Sequence, residues 1–328
     1  MAITPTEFIW HNGSFVPWHA ATTHVLAHGL HYGSAVFEGM RAYETSDGTA
    51  IFRLKSHIKR LFDSAKIYQI EIPYTIDEIE RACLECVGIN GLRSAYIRPI
   101  AFRGFGTFSL VPHGQTPVEF AIAAIAWGAY LGSSALRDGV DVCVSSWTRL
   151  APNTVPVLAK AAGHYLSSQL IASEAARNGY TEGIALDALG MLSEGSSENL
   201  FIVKDDVLYT TPISSSVLQG ITRDSILTLA DHLRIPVREQ AMPREMLYVA
   251  DEVFFTGTAA EITPVRSVDR TPVGAGKPGP ITRSLQDAFF GLFNGNTPDR
   301  WGWLDRVPIV APRRHVSEPN PMPLAAAS

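Results

Sequence analysis

Apolar residues along this chain follow two spacings, and the places where the spacing changes divide it into elements. Leu54 to Tyr68 and Ile76 to Ile89 carry them at helical intervals, which predicts two amphipathic helices. Ser94 to Phe102 and Val118 to Trp127 are strand-like. Upstream, Glu7 to Pro17 reads as a hairpin around Asn12-Gly13, the residue pair that best tolerates the positive φ of a tight two-residue turn. These mixed elements make a smaller N-terminal domain, residues 1–127. Residues 128–134, rich in glycine and serine between apolar blocks, suit an interdomain loop. A larger domain, 135–309, alternates helices over Ala159 to Asn178 and Thr222 to Leu233 with short strands from Gly183 to Thr211, joined by turns at Gly190 and Asp205-Asp206. The proline-punctuated stretch 310–328 predicts a disordered tail. The fold class is α/β or α+β with two domains, and periodicity alone does not say how its sheets close.

Length and composition agree with that division. A chain of 328 residues exceeds what one core usually organises, and 46% apolar against 18% charged residues leave ample material for burial. The net charge of −5 and a pI near 6.1 come without clustered Lys and Arg, which argues against nucleic acid and membrane surfaces as partners. The longest uncharged apolar stretch, Phe120 to Leu131, falls well short of the roughly 20 residues that cross a bilayer. The first residues lack both a basic start and an apolar run, so a cytoplasmic location is expected. Cys83 and Cys86 have Cys-x-x-Cys spacing, but Ile79, Ala82, Cys83, Cys86 and Val87 share one helical face, so both thiols are expected in the core.

Four segments could carry chemistry. Lys160 lies in Ala159-Lys-Ala-Ala-Gly163, where small neighbours would let a planar molecule approach and desolvation would favour the neutral amine; taken alone, a lysine there is more often exposed. Glu194, in Leu192-Ser-Glu-Gly-Ser-Ser-Glu-Asn-Leu-Phe201, could aim a carboxylate at a ligand, or simply belong to a polar loop. Gly220-Ile-Thr-Arg223 and Gly257-Thr-Ala-Ala260 read as glycine-led helix starts, either anion sites or plain N-caps. His24, His28 and His31 have helical spacing without the glutamate of a zinc-protease motif, so packing is favoured and no metal is assigned. Neither a dinucleotide glycine fingerprint nor Gly-x-Ser-x-Gly occurs.

Taken in order, His28-Gly-Leu-His-Tyr-Gly33, Val36-Phe-Glu-Gly-Met-Arg-Ala-Tyr43, Tyr96-Ile-Arg-Pro99, Pro152-Asn153, Ala159-Lys-Ala161, Ser193-Glu-Gly195, Glu198-Asn-Leu-Phe201, Gly220-Ile-Thr-Arg223 and Gly257-Thr-Ala-Ala-Glu261 resemble the bacterial branched-chain amino acid aminotransferases, fold type IV pyridoxal enzymes. The similarity runs from about Ile9 to Val307. It implies pyridoxal 5'-phosphate between the two domains, with Lys160 as the Schiff-base lysine and proton shuttle. Glu194 would meet the pyridine nitrogen, Tyr165 the ring hydroxyl oxygen and Arg60 the phosphate, with Leu218, Ile221, Thr222 and Thr258 completing the phosphate cup. Tyr96 with the Thr258 and Ala259 amides would receive the substrate α-carboxylate, while Phe37, Gly39, Trp127 and Tyr130 would line the side-chain pocket. Arg98 would meet the second carboxylate of glutamate.

Tyr32 and Leu110 match positions that reach the pocket from a neighbouring subunit, which implies a homo-oligomer of at least two subunits, up to a hexamer. The partners are then small-molecule amino acids and 2-oxo acids, exchanged in two half-reactions at one site. D-amino acid and amine transaminases and aminodeoxychorismate lyases share the cofactor cradle, and the alternative from another class is a non-catalytic metabolite-binding protein that kept the fold; Tyr96-x-Arg98 and Phe37-Glu-Gly-x-Arg41 point to the branched-chain group. The sequence departs from the usual pattern between Arg103 and Gln115, where Phe105 and Phe108 are expected to reshape a lid and Arg103 to offer another carboxylate contact.

Overall fold

The computed structural model describes residues 3–112, 114–128 and 134–308. Tyr130 and the expected tail, 310–328, lie outside the described residues. The first of two sheets contains β1 (Phe8–His11), β2 (Ser14–Pro17), β3 (Ala35–Phe37), β4 (Met40–Thr45), β5 (Gly48–Phe52), β6 (Ala95–Arg103) and β7 (Val118–Ala126), ordered β5-β4-β6-β7-β1-β2. β3 and β4 lie end to end along one edge of β6, pairing from Ala35↔Phe102 to Ala42↔Ala95, and the break between them falls at Glu38-Gly39. Asn12 and Gly13 take φ of 46° and 96°, as the hairpin turn requires.

Three helices accompany this sheet: α1 (His28–Tyr32), α2 (Leu54–Ile67) and α3 (Ile76–Ile89). A reciprocal capping box between Thr75 and Glu78 starts α3, satisfying two N–H groups that the helix itself leaves unpaired. Its apolar stripe packs Ile79, Ala82, Cys83, Cys86 and Val87 into the first core, where burial pushes the Cys83 thiol well up and that of Cys86 to about 12. Both thiols are packing residues, as the helical spacing predicts.

The second sheet contains β8 (Val140–Val144), β9 (Glu182–Leu186), β10 (Leu192–Gly195), β11 (Asn199–Lys204), β12 (Val207–Thr210), β13 (Val237–Glu239), β14 (Glu252–Gly257), β15 (Glu261–Val268) and β16 (Thr271–Pro272). Its order is β10-β9-β8-β15-β14-β11-β12-β13, with β16 beside β15. Alternation along β11 explains its unbroken apolar run from Leu200 to Val203: Leu200 and Ile202 enter one core, Phe201 and Val203 another, so both faces are covered. Around the sheet lie α4 (Ala135–Asp138), α5 (Tyr165–Arg177), α6 (Ile221–His232) and α7 (Pro280–Asn294). The chain then returns, and β17 (Leu304–Arg306) pairs with β5 at the edge of the first sheet.

An aromatic cluster joins the halves. Leu285, Phe289 and Phe293 of α7 pack with Tyr43 and Phe52 of the first sheet and Phe201 and Phe254 of the second. The Phe293 ring stacks on Tyr43 with centroids 3.7 Å apart. Phe289→Ala should therefore lower stability by about 3–5 kcal/mol. Urea unfolding checks this, and a loss below about 1 kcal/mol would mean that the cluster is not needed.

Candidate active site

Lys160 sits outside any helix. Its carbonyl accepts the Phe37 N–H at 3.0 Å, its own N–H donates to Ser64 Oγ at 3.0 Å, and Ala161 forms a β-bridge with Val36. Backbone groups committed to the first sheet cannot also close helical turns, so the helix expected from Ala159 starts later. A 3-10 turn spans Ala162–His164 and α5 begins at Tyr165. This places the Tyr165 hydroxyl where the Lys160 amine donates to it at 2.6 Å, with the Phe37 ring 5.2 Å from that amine.

Lys160 and Tyr165 line a cavity together with Arg60, Glu194, Leu218, Ile221, Thr222 and Thr258, so every residue the resemblance assigned to the cofactor falls in one place. At its base the Glu194 carboxyl accepts from Arg149 Nη2 at 2.6 Å, Asn199 Nδ2 at 2.9 Å and the Leu218 N–H at 3.2 Å. Burial raises this carboxyl to about 7, against the pull of the Arg149 guanidinium.

The opposite end of the cavity is suited to an anion. Gly220 caps α6 without a side-chain hydrogen bond, leaving its first-turn N–H groups for a ligand. A Cβ at position 220 would stand 1.9 Å from Asn199 Oδ1, so glycine is required for this approach. The buried Thr256 hydroxyl, which lines the same cavity, has no hydrogen-bond partner among the described residues. Arg60 reaches in from α2 with its guanidinium set by Glu38, at 2.6 and 2.9 Å, and by the Gln219 carbonyl at 2.8 Å, leaving N–H donors over. Gly257 does not open a helix: residues 258–260 are the turn between β14 and β15, because Thr256 and Gly257 pair with Ile262 and Glu261 in a hairpin. The backbone amides still line the site, now from a turn.

An adjoining cavity shares Lys160, Tyr165, Ser196, Ser197 and Thr258 and adds Phe37, Gly39, Tyr96, Arg98, Trp127 and Ala259. The lining is aromatic and small, with one guanidinium at its edge. Arg98 lies 4.5 Å from the Phe37 ring centroid and donates to the Tyr96 hydroxyl at 2.9 Å. Gly39 makes room for that hydroxyl, since a Cβ there would come within 2.0 Å of it.

Other expected residues stand apart. Tyr32 and Leu110 line a different cavity and are 45% and 79% exposed. Arg103 lines the cavity of Tyr32 and Leu110, and its Nη2 donates to the carbonyls of Tyr68 and Gln69, at 3.3 and 2.6 Å, which tether it to the end of α2. Phe105 and Phe108 pack on His24 and His31 rather than over the chain's own active-site cavities. The three histidines have separate partners, with His28 between Ser34 Oγ and the Ser109 carbonyl, His31 on the Val25 carbonyl, and His24 accepting from the Leu26 N–H.

Sequence reasoning missed the residues that hold the site from behind. Arg149 is the only charged residue between Asp141 and Lys160, a signal that could have flagged it. Asn199 sits in the quoted Glu198-Asn motif and Glu38 in the quoted Phe37-Glu-Gly motif, while His57 gave no local signal. Burial alone would raise the Glu38 carboxyl, yet the Arg60 guanidinium and His57 hold it well below the ordinary 4.5. Burial keeps His57 neutral, so it gives a hydrogen bond to Glu38 at 2.7 Å. A carboxylate held low contributes stability above its unfolded pKa and loses it as pH falls toward the folded value. Glu38→Gln should thus cost about 3 kcal/mol at pH 7. The cost should shrink by roughly 1.4 kcal/mol for each unit that pH falls below the ordinary carboxylate value. Urea unfolding at several pH values checks it, and a penalty independent of pH would contradict it.

Residues 35–268 match the family Amino-transferase class IV. The chain is 55% identical over 307 residues, 94% of its own length and 99% of the relative's, to a protein of Escherichia coli (strain K12) named branched-chain-amino-acid aminotransferase. Its fold superposes on a crystal structure of the Escherichia coli enzyme of that name with a TM-score of 0.91 and 55% identity, covering 92% of this chain and 100% of that one. A T.th. branched-chain amino acid aminotransferase, solved with N-(5'-phosphopyridoxyl)-L-glutamate, gives 0.89 at 45% identity, covering 94% and 100%. With Lys160 and its surroundings placed as described, these findings make the chain a member of the class IV aminotransferases, in their branched-chain-amino-acid branch.

Proposed function

We propose that this chain transfers the amino group of leucine, isoleucine or valine to 2-oxoglutarate, with pyridoxal phosphate as cofactor. The observation that carries the reading is one amine, Lys160, at the wall shared by a cavity that holds the α6 start and Arg60 and a second cavity lined by aromatic, small and hydroxyl side chains with Arg98 at its edge. The residues fit the cofactor. The uncapped start of α6, the partnerless Thr256 hydroxyl and the unspent Arg60 donors suit a phosphate, while the pinned Glu194 carboxyl suits a pyridine nitrogen. When bound, pyridoxal phosphate supplies an electrophilic carbon for amino groups and a ring that takes up the electron pair of a deprotonated α-carbon.

The chain supplies the rest. Arg60, the Ile221 and Thr222 amides and Thr258 would hold the phosphate, while Leu218, whose N–H and carbonyl are taken by Glu194 and Asn199, lines the cavity beside it. Glu194 keeps a proton on the ring nitrogen, and Tyr165 orients both the ring oxygen and the Lys160 amine. Substrate α-carboxylate is bound by Tyr96 and the amides of Thr258 and Ala259, which turns the α-hydrogen toward Lys160. Lys160 Nζ then takes that proton as general base. Phe37, Gly39, Trp127 and Tyr130 exclude water around an aliphatic side chain. Arg98 gives the second carboxylate of glutamate a charge-assisted partner, so one pocket serves both donors. The phosphopyridoxyl-glutamate bound by the T.th. relative supports a glutamate half-reaction.

The active unit is at least a dimer, in which Tyr32 and Leu110 complete the partner's pocket. Leu30, Tyr32, Phe105, Phe108, Leu110 and Val111 are all exposed on α1 and the segment after β6, an apolar face suited to a second copy. A cytoplasmic location agrees with Cys83, Cys86 and Cys143 being free thiols, and no helix among the described residues is long and apolar enough to cross a membrane. Coupled assays with L-leucine, D-alanine and a chiral amine as donors to 2-oxoglutarate test the reading; turnover of another donor without L-leucine would overturn it. In the same assay Arg98→Ala should lower kcat/KM for glutamate roughly 10- to 100-fold and for leucine less than about fivefold. An equal loss for both would remove Arg98 from substrate selection.

A further inference from the structure

Three residues of α2 and its C-cap face the segment that carries the reactive amine. Arg60, Ser64 and Tyr68 recur at every fourth position, so they stand above one another on one side of the helix. Each reaches a different part of the site. Arg60 Nη1 donates to the Gln219 carbonyl at 2.8 Å, and the side chain lines the cofactor cavity. Ser64 Oγ accepts from the Lys160 N–H at 3.0 Å and donates to the Arg60 carbonyl at 2.8 Å. Tyr68 Oη is hydrogen-bonded to His164 Nε2 at 2.7 Å, with ring centroids 5.9 Å apart. Nothing in the proposed reaction uses this last pair.

His164 sits where a small displacement reaches the chemistry. It ends the 3-10 turn Ala162–His164 and immediately precedes Tyr165, whose hydroxyl accepts from the Lys160 amine at 2.6 Å. β3 holds the chain ahead of this turn, through the Phe37 N–H on the Lys160 carbonyl and the bridge between Val36 and Ala161. At the N-cap of α5 the His164 side chain makes no capping bond, and its ring goes to α2 instead. It is 8% exposed and lines both the cofactor cavity and the cavity that holds Tyr32, Leu110 and Arg103. Tyr68 is fixed in turn, because its carbonyl and that of Gln69 both accept from Arg103 Nη2. The end of α2 is thereby anchored, and the turn between Lys160 and Tyr165 is tied to it.

We propose that Tyr68 and His164 are a positioning pair for Lys160: their hydrogen bond ties the turn between Lys160 and Tyr165 to the end of α2, and so keeps the amine and the Tyr165 hydroxyl in register with the cofactor cavity. The inference deepens the aminotransferase reading and rests on it for the cofactor. Neither side chain lines the second cavity, so the pair acts through Lys160 and Tyr165 and not on the substrate. Breaking it should therefore slow proton transfer at Lys160 alike for every amino donor, while substrate affinity stays as it was.

The test compares wild type with Tyr68→Phe, His164→Ala, His164→Gln and the double variant Tyr68→Phe/His164→Ala. It reads kcat and KM for leucine and glutamate, urea unfolding, and the rate at which pyridoxal phosphate, added to the full-length chain freed of cofactor, bonds to Lys160 as trapped by borohydride. Tyr68→Phe deletes one hydroxyl; it should lower kcat roughly tenfold for both donors with KM within about twofold of wild type, and slow the trapping by a similar factor. Glutamine sets an amide about where Nε2 stands, so His164→Gln should keep roughly half of the wild-type rates while His164→Ala loses about tenfold. Because both changes remove one interaction, the double variant should be no slower than His164→Ala. Wild-type kcat and trapping in Tyr68→Phe, a change confined to the urea midpoint, or multiplied losses in the double variant would overturn the proposal. If His164→Ala does not fold, Tyr68→Phe and His164→Gln decide: a glutamine variant as slow as Tyr68→Phe would equally overturn it. Failure of wild-type enzyme to use L-leucine would sink the aminotransferase reading instead, and the trapping rates, which need only the cofactor and Lys160, do not depend on that.

Discussion

The amine of Lys160 and the backbone that carries it belong to different halves of the molecule. Main-chain groups of residues 160 and 161 are bonded to β3 and to Ser64 on α2, whereas the side chain ends at Tyr165, the first residue of α5. A reactive amine fixed at both ends loses little freedom when a reaction begins, which is how positioned groups lower a barrier. The cavities on either side depend on this. Shift β3 relative to α5, and Phe37, Tyr165 and Lys160 no longer share a wall.

Charge is managed around that point by pairing. Glu38 is neutralised by Arg60, Glu194 faces Arg149, and Glu261 takes the Tyr43 hydroxyl at 2.9 Å with Arg41 at 3.4 Å. Each pair joins separate elements, and Arg60, Arg149 and Glu194 themselves line the first cavity. Buried pairs add little net stability compared with apolar packing, but breaking one leaves a stranded charge. Their placement therefore makes the cavity shape expensive to disturb, which suits a site that must accept two kinds of side chain without remodelling.

Local pattern made the helices at Leu54–Ile67 and Ile76–Ile89 legible, along with the hairpin at Asn12-Gly13 and the strands on either side of residue 110. It failed at Lys160 and at Gly257, where helical spacing of small residues is overridden by pairing with distant strands. It was also silent about β17, three residues that return to the first sheet. The residues proposed for cofactor and substrate were reached only through short motifs that keep their order along the chain. Arg149, His57 and Glu38 act through partners 45, 19 and 22 residues away, a separation no local window detects. The bonds of Arg103 to the Tyr68 and Gln69 carbonyls are non-local in the same way.

Borohydride reduction of the holoprotein, followed by peptide mass mapping, tests the central claim most directly. The account places the cofactor's mass on the peptide that contains Lys160 and predicts that Lys160→Arg protein, although folded, acquires none. Label on any other lysine, or equal label in the variant, would contradict it.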